Sequence, residues 1–254
     1  MKLHKLLLVP IMCLLAFTIS ACGDDDESSS ASSTETSDGI RVAIVAPSAE
    51  NDLAFSQSIV DGVSKLTGVS ETAITPGTFI VEEAATAIRD YAEAGYDLVI
   101  AHGSQYGGPL QEIAPDFPDT AFAWGTAVDT FGLDNVSAYT AASNEGGYVL
   151  GVIAAEVGES IGIVGPIAVG DAKLYVDGFT LGAESGGAEV SVTYIESFAD
   201  VALASETAAA FVSNGADVLT GTAQMTVGAI GVAEQEGLLW FGTQSNQTLS
   251  LIHI

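Results

Sequence analysis

The chain has 254 residues, 48% of them hydrophobic and only 15% charged, a balance that excludes a disordered chain or a coiled coil, both of which carry far more charge. Its 33 Asp and Glu against 6 Lys and Arg give a net charge of −27. Nucleic-acid binding needs Lys and Arg to displace condensed counterions, so no nucleic-acid partner is expected. What remains is a globular α/β enzyme or binding protein of one large domain or two small lobes.

Lys2, His4 and Lys5 form a basic start, followed by a mostly apolar run from Leu6 to Ile19. The run falls short of the roughly 20 apolar residues of a membrane-spanning helix and contains Pro10, so residues 1–21 read as a secretory signal peptide. It ends in Ile19, Ser20, Ala21 and Cys22, which resembles the lipobox of bacterial lipoproteins, where cleavage leaves an acylated cysteine as the first residue. Cys13 lies inside the apolar run, so the mature chain keeps Cys22 alone and forms no internal disulfide. Gly23 to Asp38 carries six acidic residues and six serines, too polar to bury a core. Residues 22–38 are therefore expected to be a lipidated cysteine and a flexible tether that attach a globular body to the membrane.

From Ile40 the pattern changes to strands alternating with helices. Strands are expected at Ile40–Val45, Leu98–Ala101, Ala121–Trp124, Val136–Tyr139, Ile161–Val164, Val190–Ile195, Val218–Thr220 and Leu238–Phe241. Helices are expected at Ala54–Leu66, Ile80–Ala94, Gly146–Val157, Ala172–Glu184, Val201–Asn214 and Thr226–Glu236. Such alternation implies βαβ units and mostly parallel sheets, and the break at Thr140 to Glu145 marks the best lobe boundary. Ligands of parallel sheets bind beyond the carboxyl ends of the strands. The loops there hold Asn51, Asp52, Ser104, Gln105, Tyr106, Phe198, Gln224, Gln244 and Asn246, a set of amides, hydroxyls and aromatics suited to a neutral polar molecule.

Other chemistries find little support. Gly158, Glu159, Ser160, Ile161 and Gly162 match a nucleophile-elbow string, but Ser160 follows a helix and precedes a strand, the reverse of what an elbow needs. Beyond the signal segment only His102 and His253 remain, and no Walker loop precedes Lys65 or Lys173, so neither a metal site nor a cofactor is expected. Arg41, Lys65 and Arg89 fall at the edge opposite the ligand loops. This scarcity of cations near the loops favours an uncharged ligand.

Several segments together resemble the basic membrane protein (BMP) family of substrate-binding lipoproteins, purine-nucleoside receptors of ABC importers. Asn51–Ser58 (NDLAFSQS, which includes Gln57), Tyr96–Gly103 (YDLVIAHG), Phe117–Phe122 (FPDTAF), Asn135–Ala155, Glu196–Asp200 (ESFAD) and Gly242–Gln247 (GTQSNQ) carry the likeness. The resemblance implies a type I periplasmic-binding-protein fold: two doubly wound α/β lobes with mostly parallel sheets, residues 39–142 and 143–248, closing on a ligand at a hinge. It implies that Phe55 and Phe198 stack on a heterocycle and that Asp52, Ser56 and Gln57 contribute polar contacts. The family's asparagine is Ser56 here, an aspartate of its second loop falls at Gly108, and the late aspartate is Gln244, so carboxylates that bind ribose hydroxyls in the family are absent at these positions. The same likeness implies a second lobe that stops before its C-terminal return to the first, and Leu249–Ile254 (LSLIHI), which resembles translated sequencing-adapter sequence, is expected to be a non-native tail. The function it implies is a receptor anchored to the cell membrane through Cys22, facing the periplasm or exterior, that passes a small nucleoside-like ligand to an ABC permease and catalyses nothing. The alternative is a ligand-sensing lipoprotein of the same fold without a transport role.

Overall fold

The computed structural model describes residues 39–250. The expected signal peptide, Cys22 and tether lie outside the described residues, as does the tail beyond residue 250. In the first sheet β1 (Ile40–Val45), β2 (Val69–Thr75), β3 (Leu98–Ala101), β4 (Ala121–Gly125) and β5 (Val136–Tyr139) lie in the order β2-β1-β3-β4-β5. In the second, β6 (Ser160–Gly165), β7 (Glu189–Tyr194), β8 (Val218–Gly221) and β9 (Leu239–Phe241) lie in the order β7-β6-β8-β9. Every neighbouring pair is parallel, which requires a crossover between strands. Helices supply most of them: α1 (Phe55–Val63), α2 (Val81–Glu93), α3 (Gly107–Ile113), α4 (Ser143–Ala155), α5 (Gly170–Ser185), α6 (Val201–Ser213) and α7 (Thr226–Glu236).

Both sheets are covered on both faces, and the alternation of side chains along each strand shows how. Val42 and Ile44 pack with Ile59, Val60 and Val63 of α1. Their neighbours Ala43 and Val45 point the other way, onto Ala84 and Ile88 of α2 and Leu110 of α3. In the second sheet Ile161 and Ile163 meet Tyr175, Val176 and Phe179 of α5, whereas Val164 and Leu219 meet α6 and α7 through Ala204, Ala208, Ala229 and Ile230. Strands buried on both faces read as near-continuous apolar runs, and β1, β3 and β6 do. Sheet membership changes between β5 and β6, and α4, which starts at Ser143, packs on α5 of the second sheet.

That packing is unusually close. A Cβ built at Gly178 would lie 2.1 Å from the Asn144 carbonyl oxygen, at Gly182 2.1 Å from that of Tyr148, and at Gly151 2.1 Å from that of Phe179. Backbone touches backbone because glycines four residues apart face each other on the two helices.

Two elements differ from the expectation. β2 is an edge strand whose Ser70, Glu71 and Thr72 are exposed, so it has no buried face to announce it. α3 opens with Gly107, Gly108 and Pro109, residues that read as loop. Proline is tolerated in a first turn, where its missing N–H has no helical partner anyway, and Gly107 is required because a Cβ there would lie 2.3 Å from the Trp124 ring.

Candidate ligand-binding site

In the order β2-β1-β3 the chain leaves β1 for α1 on one face and leaves β3 for α3 on the other, which opens a crevice between the two loops. The same reversal occurs between β6, which leads to α5, and β8, which leads to α7. The cleft sits at these two switch points. It consists of two adjoining chambers of about 630 and 560 Å³ that share Phe55, Thr126, Asp171, Thr222 and Gln244, a size suited to a small molecule. The Gln224 side-chain amide donates to Ser48 Oγ at 3.0 Å, and Gln247 donates to the Leu53 carbonyl at 3.0 Å, so both switch-point regions are tied across the cleft.

Phe55 is positioned from two sides. The Asp52 carboxylate accepts from the backbone N–H groups of Ala54, Ser56 and Gln57 at 2.9 to 3.0 Å. These are donors that a helix start leaves unpaired, so Asp52 fixes where α1 begins and therefore where its first residue, Phe55, points. Behind Phe55 the His102 ring stacks at 3.9 Å between centroids and 17° between planes, and Tyr139 lies beyond it at 6.0 Å and 16°. Phe79 and Phe198 add two further rings to the second chamber, the Phe198 loop being held by its carbonyl accepting from Met225 N at 3.0 Å.

His102 is buried, and both its ring nitrogens are engaged. Nε2 lies 3.0 Å from the Phe55 carbonyl, which only accepts, so Nε2 carries the proton; Nδ1 then accepts from the Tyr139 hydroxyl at 2.6 Å. Burial pushes the His102 pKa down to about 4 from 6.5, against the opposing pull of the Phe55 carbonyl and Asp52. The unfolded chain therefore takes up a proton near pH 6.5 that the folded chain refuses until about pH 4. The contribution of His102 to stability is flat above pH 6.5 and falls as pH drops through this window, by up to about 1.4 kcal/mol per pH unit. Urea denaturation across pH 7.5 to 4 is expected to show the wild type losing stability relative to His102→Gln below about pH 6.5; parallel curves for the two proteins would contradict this.

Loops of both lobes supply strained backbone. Thr126, Ala223 and Gln244, all lining the cleft, have φ of 57°, 75° and 65°, a region that non-glycine residues seldom adopt and that concentrates at ligand clamps. Gln244 Oε1 accepts from Ala223 N at 3.2 Å, joining the loops after β8 and β9. No Lys or Arg lines either chamber. Arg41 pairs with Glu71 at 2.8 Å, Arg89 with Asp116 at 3.1 Å and Lys173 with Asp177 along α5. Among the described residues no group of three or more His, Cys, Asp and Glu is placed to hold a metal ion, and no helix is long and apolar enough to cross a membrane.

Of the residues expected at the site, the structure brings Phe55, Ser104, Gln105, Phe198, Gln224 and Gln244 to the cleft walls. Four others are elsewhere. The Asp52 oxygens are taken up by the start of α1 and by the Ser48 hydroxyl. Ser56 is fully buried, its Oγ against Ser48. Gln57 accepts from Leu53 N and reaches toward Asp61. Tyr106 lies in the core under the first sheet with its hydroxyl on Thr78, because the 3-10 turn Ser104–Tyr106 rotates it inward. Gly108 is exposed on α3, away from the cleft. Thr126, Asp171 and Thr222 are cleft residues that the sequence reading passed over. Asp171 and Thr222 fall within the loops after β6 and β8, so the strand-end rule reached them without distinguishing them from their neighbours.

With this geometry in view, the chain matches a family model described as ABC transporter substrate-binding protein PnrA-like (Bmp) over residues 40–250. It is 33% identical over 168 residues to a purine-binding protein of Brucella abortus (strain 2308), covering 65% of this chain and 47% of that protein. It is 27% identical over 215 residues to the ABC transporter nucleoside-binding protein BmpA of Lactococcus lactis subsp. cremoris (strain MG1363), covering 79% of this chain and 59% of that one. It superposes on a solute-binding protein of an ABC transporter system from Conexibacter woesei with a TM-score of 0.71 at 25% identity, over 85% of this chain and 74% of that structure. The chain thus spans about half to three fifths of the length of these two curated relatives. Because the matched region runs from β1 to the turn after β9, through both switch points, the chain belongs to the Bmp family of PnrA-like ABC transporter substrate-binding proteins.

Proposed function

We propose that this chain is the ligand-binding part of a lipid-anchored, extracytoplasmic receptor that captures a small neutral nucleoside-like molecule and delivers it to the permease of an ABC importer. One observation carries the reading: at the switch-point cleft a phenyl ring braced by His102 and Tyr139 shares the walls with side-chain amides and hydroxyls and with no cation. A flat ring, offered a hydrophobic face and hydrogen-bonding edges, matches that lining. The names of the Brucella and Lactococcus relatives point to the same ligand class. Binding rather than turnover is favoured because His102, the histidine at the cleft, has both nitrogens committed and a depressed pKa, a poor match for a general base working near neutral pH. A thermal-shift panel of nucleosides, free bases, sugars, amino acids and phosphate tests the reading. A nucleoside at about 100 times its Kd should add about 2.7 kcal/mol and raise the melting temperature by about 5 to 10 °C. A shift with sugars or amino acids alone would overturn it.

The anchor rests on Cys22 following Ser20 and Ala21, since two or more acyl chains hold a protein stably at a bilayer. Cys22→Ser is expected to move the protein from the membrane to the soluble fraction and to abolish metabolic labelling with palmitate. Membrane retention of the variant, with no label in the wild type, would contradict the anchor.

A further inference from the structure

Phe55 belongs to the first lobe, yet the segment that leads into it is held from the second. Gln247, in the turn after β9, is buried. Its Oε1 accepts from Trp240 Nε1 at 2.9 Å and from Thr243 N at 3.3 Å, both in the second lobe. This fixes the orientation of the amide and leaves its nitrogen, a donor only, to reach the Leu53 carbonyl at 3.0 Å, 194 residues away. Gln224 makes the other tie, to Ser48. Ser48 Oγ in turn donates to Asp52 Oδ2 at 2.5 Å and lies 2.6 Å from Ser56 Oγ. The two glutamines therefore grip both ends of the segment from Ser48 to Leu53 that carries the chain from β1 to α1.

Leu53 is where such a grip matters. Its φ is 57°, a conformation that non-glycine residues seldom adopt and that persists only where the surroundings over-determine it. Its N–H donates to Gln57 Oε1 at 3.0 Å within the first lobe, and its carbonyl is held from the second. Two residues on stands Phe55, the first residue of α1. A Leu53 released toward negative φ redirects the chain as it enters α1, and the Phe55 ring moves with it.

We propose that Gln247 is a positioning residue for Phe55: by donating across the cleft to Leu53 it couples the approach of the second lobe to the placement of the ring, with Gln224 on Ser48 as a second tie. The assignment rests on the reading that Phe55 stacks on a nucleoside-like ligand and adds to it a residue outside the ligand's reach. Neither Gln247 nor Leu53 nor Ser48 lines either chamber, so Gln247 acts on affinity through Phe55. Coupling of this kind is reciprocal: a ligand that orders Phe55 also favours the bond from Gln247, and binding draws the lobes together.

The test uses two substitutions that differ in what they place opposite the Leu53 carbonyl. Gln247→Met is similar in size and has no donor. Gln247→Glu keeps an oxygen for Trp240 and Thr243, but its carboxylate sets an acceptor against an acceptor; once protonated the same group donates again, and burial raises the pH at which it does so. Titration calorimetry of the full chain with inosine, adenosine and guanosine from pH 9 to pH 5 should show Gln247→Met about 5- to 30-fold weaker than the wild type throughout. Gln247→Glu should be weak at high pH and approach the wild type as pH falls, a rescue that a merely structural role would not produce. Hydrogen exchange without ligand, at one pH, should be about tenfold faster over residues 52–57 of Gln247→Met than in the wild type and unchanged in β6 and β8. Thermal melts check folding, and if the methionine variant does not fold, the pH dependence of Gln247→Glu decides. A Gln247→Met protein of wild-type affinity, a Gln247→Glu deficit that persists at pH 5, or unaltered exchange at the start of α1 overturns the assignment and leaves the nucleoside reading standing. A wild type that binds no nucleoside overturns that reading, and the exchange comparison then decides the clamp by itself.

Discussion

Alanine at Gly182 is expected to lower the melting temperature by about 3 to 10 °C, although alanine is the better helix former. Helix propensity alone would favour the change by about 1 kcal/mol. The opposing effect is steric: the new Cβ would lie 2.1 Å from the Tyr148 carbonyl oxygen, a rigid backbone atom, so α4 and α5 must separate along their contact. Overpacking of this kind costs about 1 to 3 kcal/mol and occasionally more, and in a body of this size each kcal/mol moves the melting temperature by about 2 to 4 °C. Gly178→Ala should behave alike through the Asn144 carbonyl. The double variant should lose less than the sum, because helices already forced apart accept the second methyl more easily. Gly231→Ala on α7 and Gly62→Ala on α1 are the internal controls. A Cβ at either meets nothing within 4 Å, so each should gain about 0.5 to 1 kcal/mol. Thermal melts followed by circular dichroism decide the matter; a Gly182→Ala protein as stable as Gly231→Ala would contradict the close packing.

Removal of the Phe55 ring is expected to be the most damaging single change to ligand binding. Stacking of a base on an aromatic side chain is worth about 1 to 3 kcal/mol by alanine substitution, so Phe55→Ala should weaken a nucleoside about 5- to 150-fold. Phe55 also covers His102 at 3.9 Å, and Phe55→Leu separates the two roles: it retains apolar cover for the imidazole but presents no flat face. Affinity should fall for both variants, and the melting temperature should fall mainly for the alanine. The wild-type affinity should vary little with salt, because the cleft offers no cation whose pairing could be screened. Calorimetry with nucleosides at low and high salt measures both; an unaffected Phe55→Ala protein or a steep salt dependence would place an anionic ligand elsewhere.

The central strands were largely legible because they are buried on both faces. β1, β3 and α7 occupy the residues expected of them, Ile40–Val45, Leu98–Ala101 and Thr226–Glu236, where apolar runs or helical periodicity have clear ends. β2 was not legible, since an edge strand with exposed Ser70, Glu71 and Thr72 has neither signal. The site was legible as loops but not as side chains. The strand-end rule locates Phe198, Gln224 and Gln244 and equally Asp52 and Tyr106, and nothing in a linear sequence says that Asp52 turns back onto its own helix or that Tyr106 turns into the core. The same blindness passed over Asp171, one of 33 acids in the chain, whose distinction is that the topology sets it at the second switch point with no basic neighbour in the cleft.

The central claim is that a neutral heterocycle binds between the two switch points on the face of Phe55, and a crystal structure of the full chain with a bound nucleoside tests it most directly. The base should lie parallel to the Phe55 ring at van der Waals distance, about 3.5 to 4 Å, within the chambers bounded by Phe198, Gln224 and Gln244. A nucleoside seated outside these chambers, or inside them with Phe55 making no contact to its base, would contradict the claim.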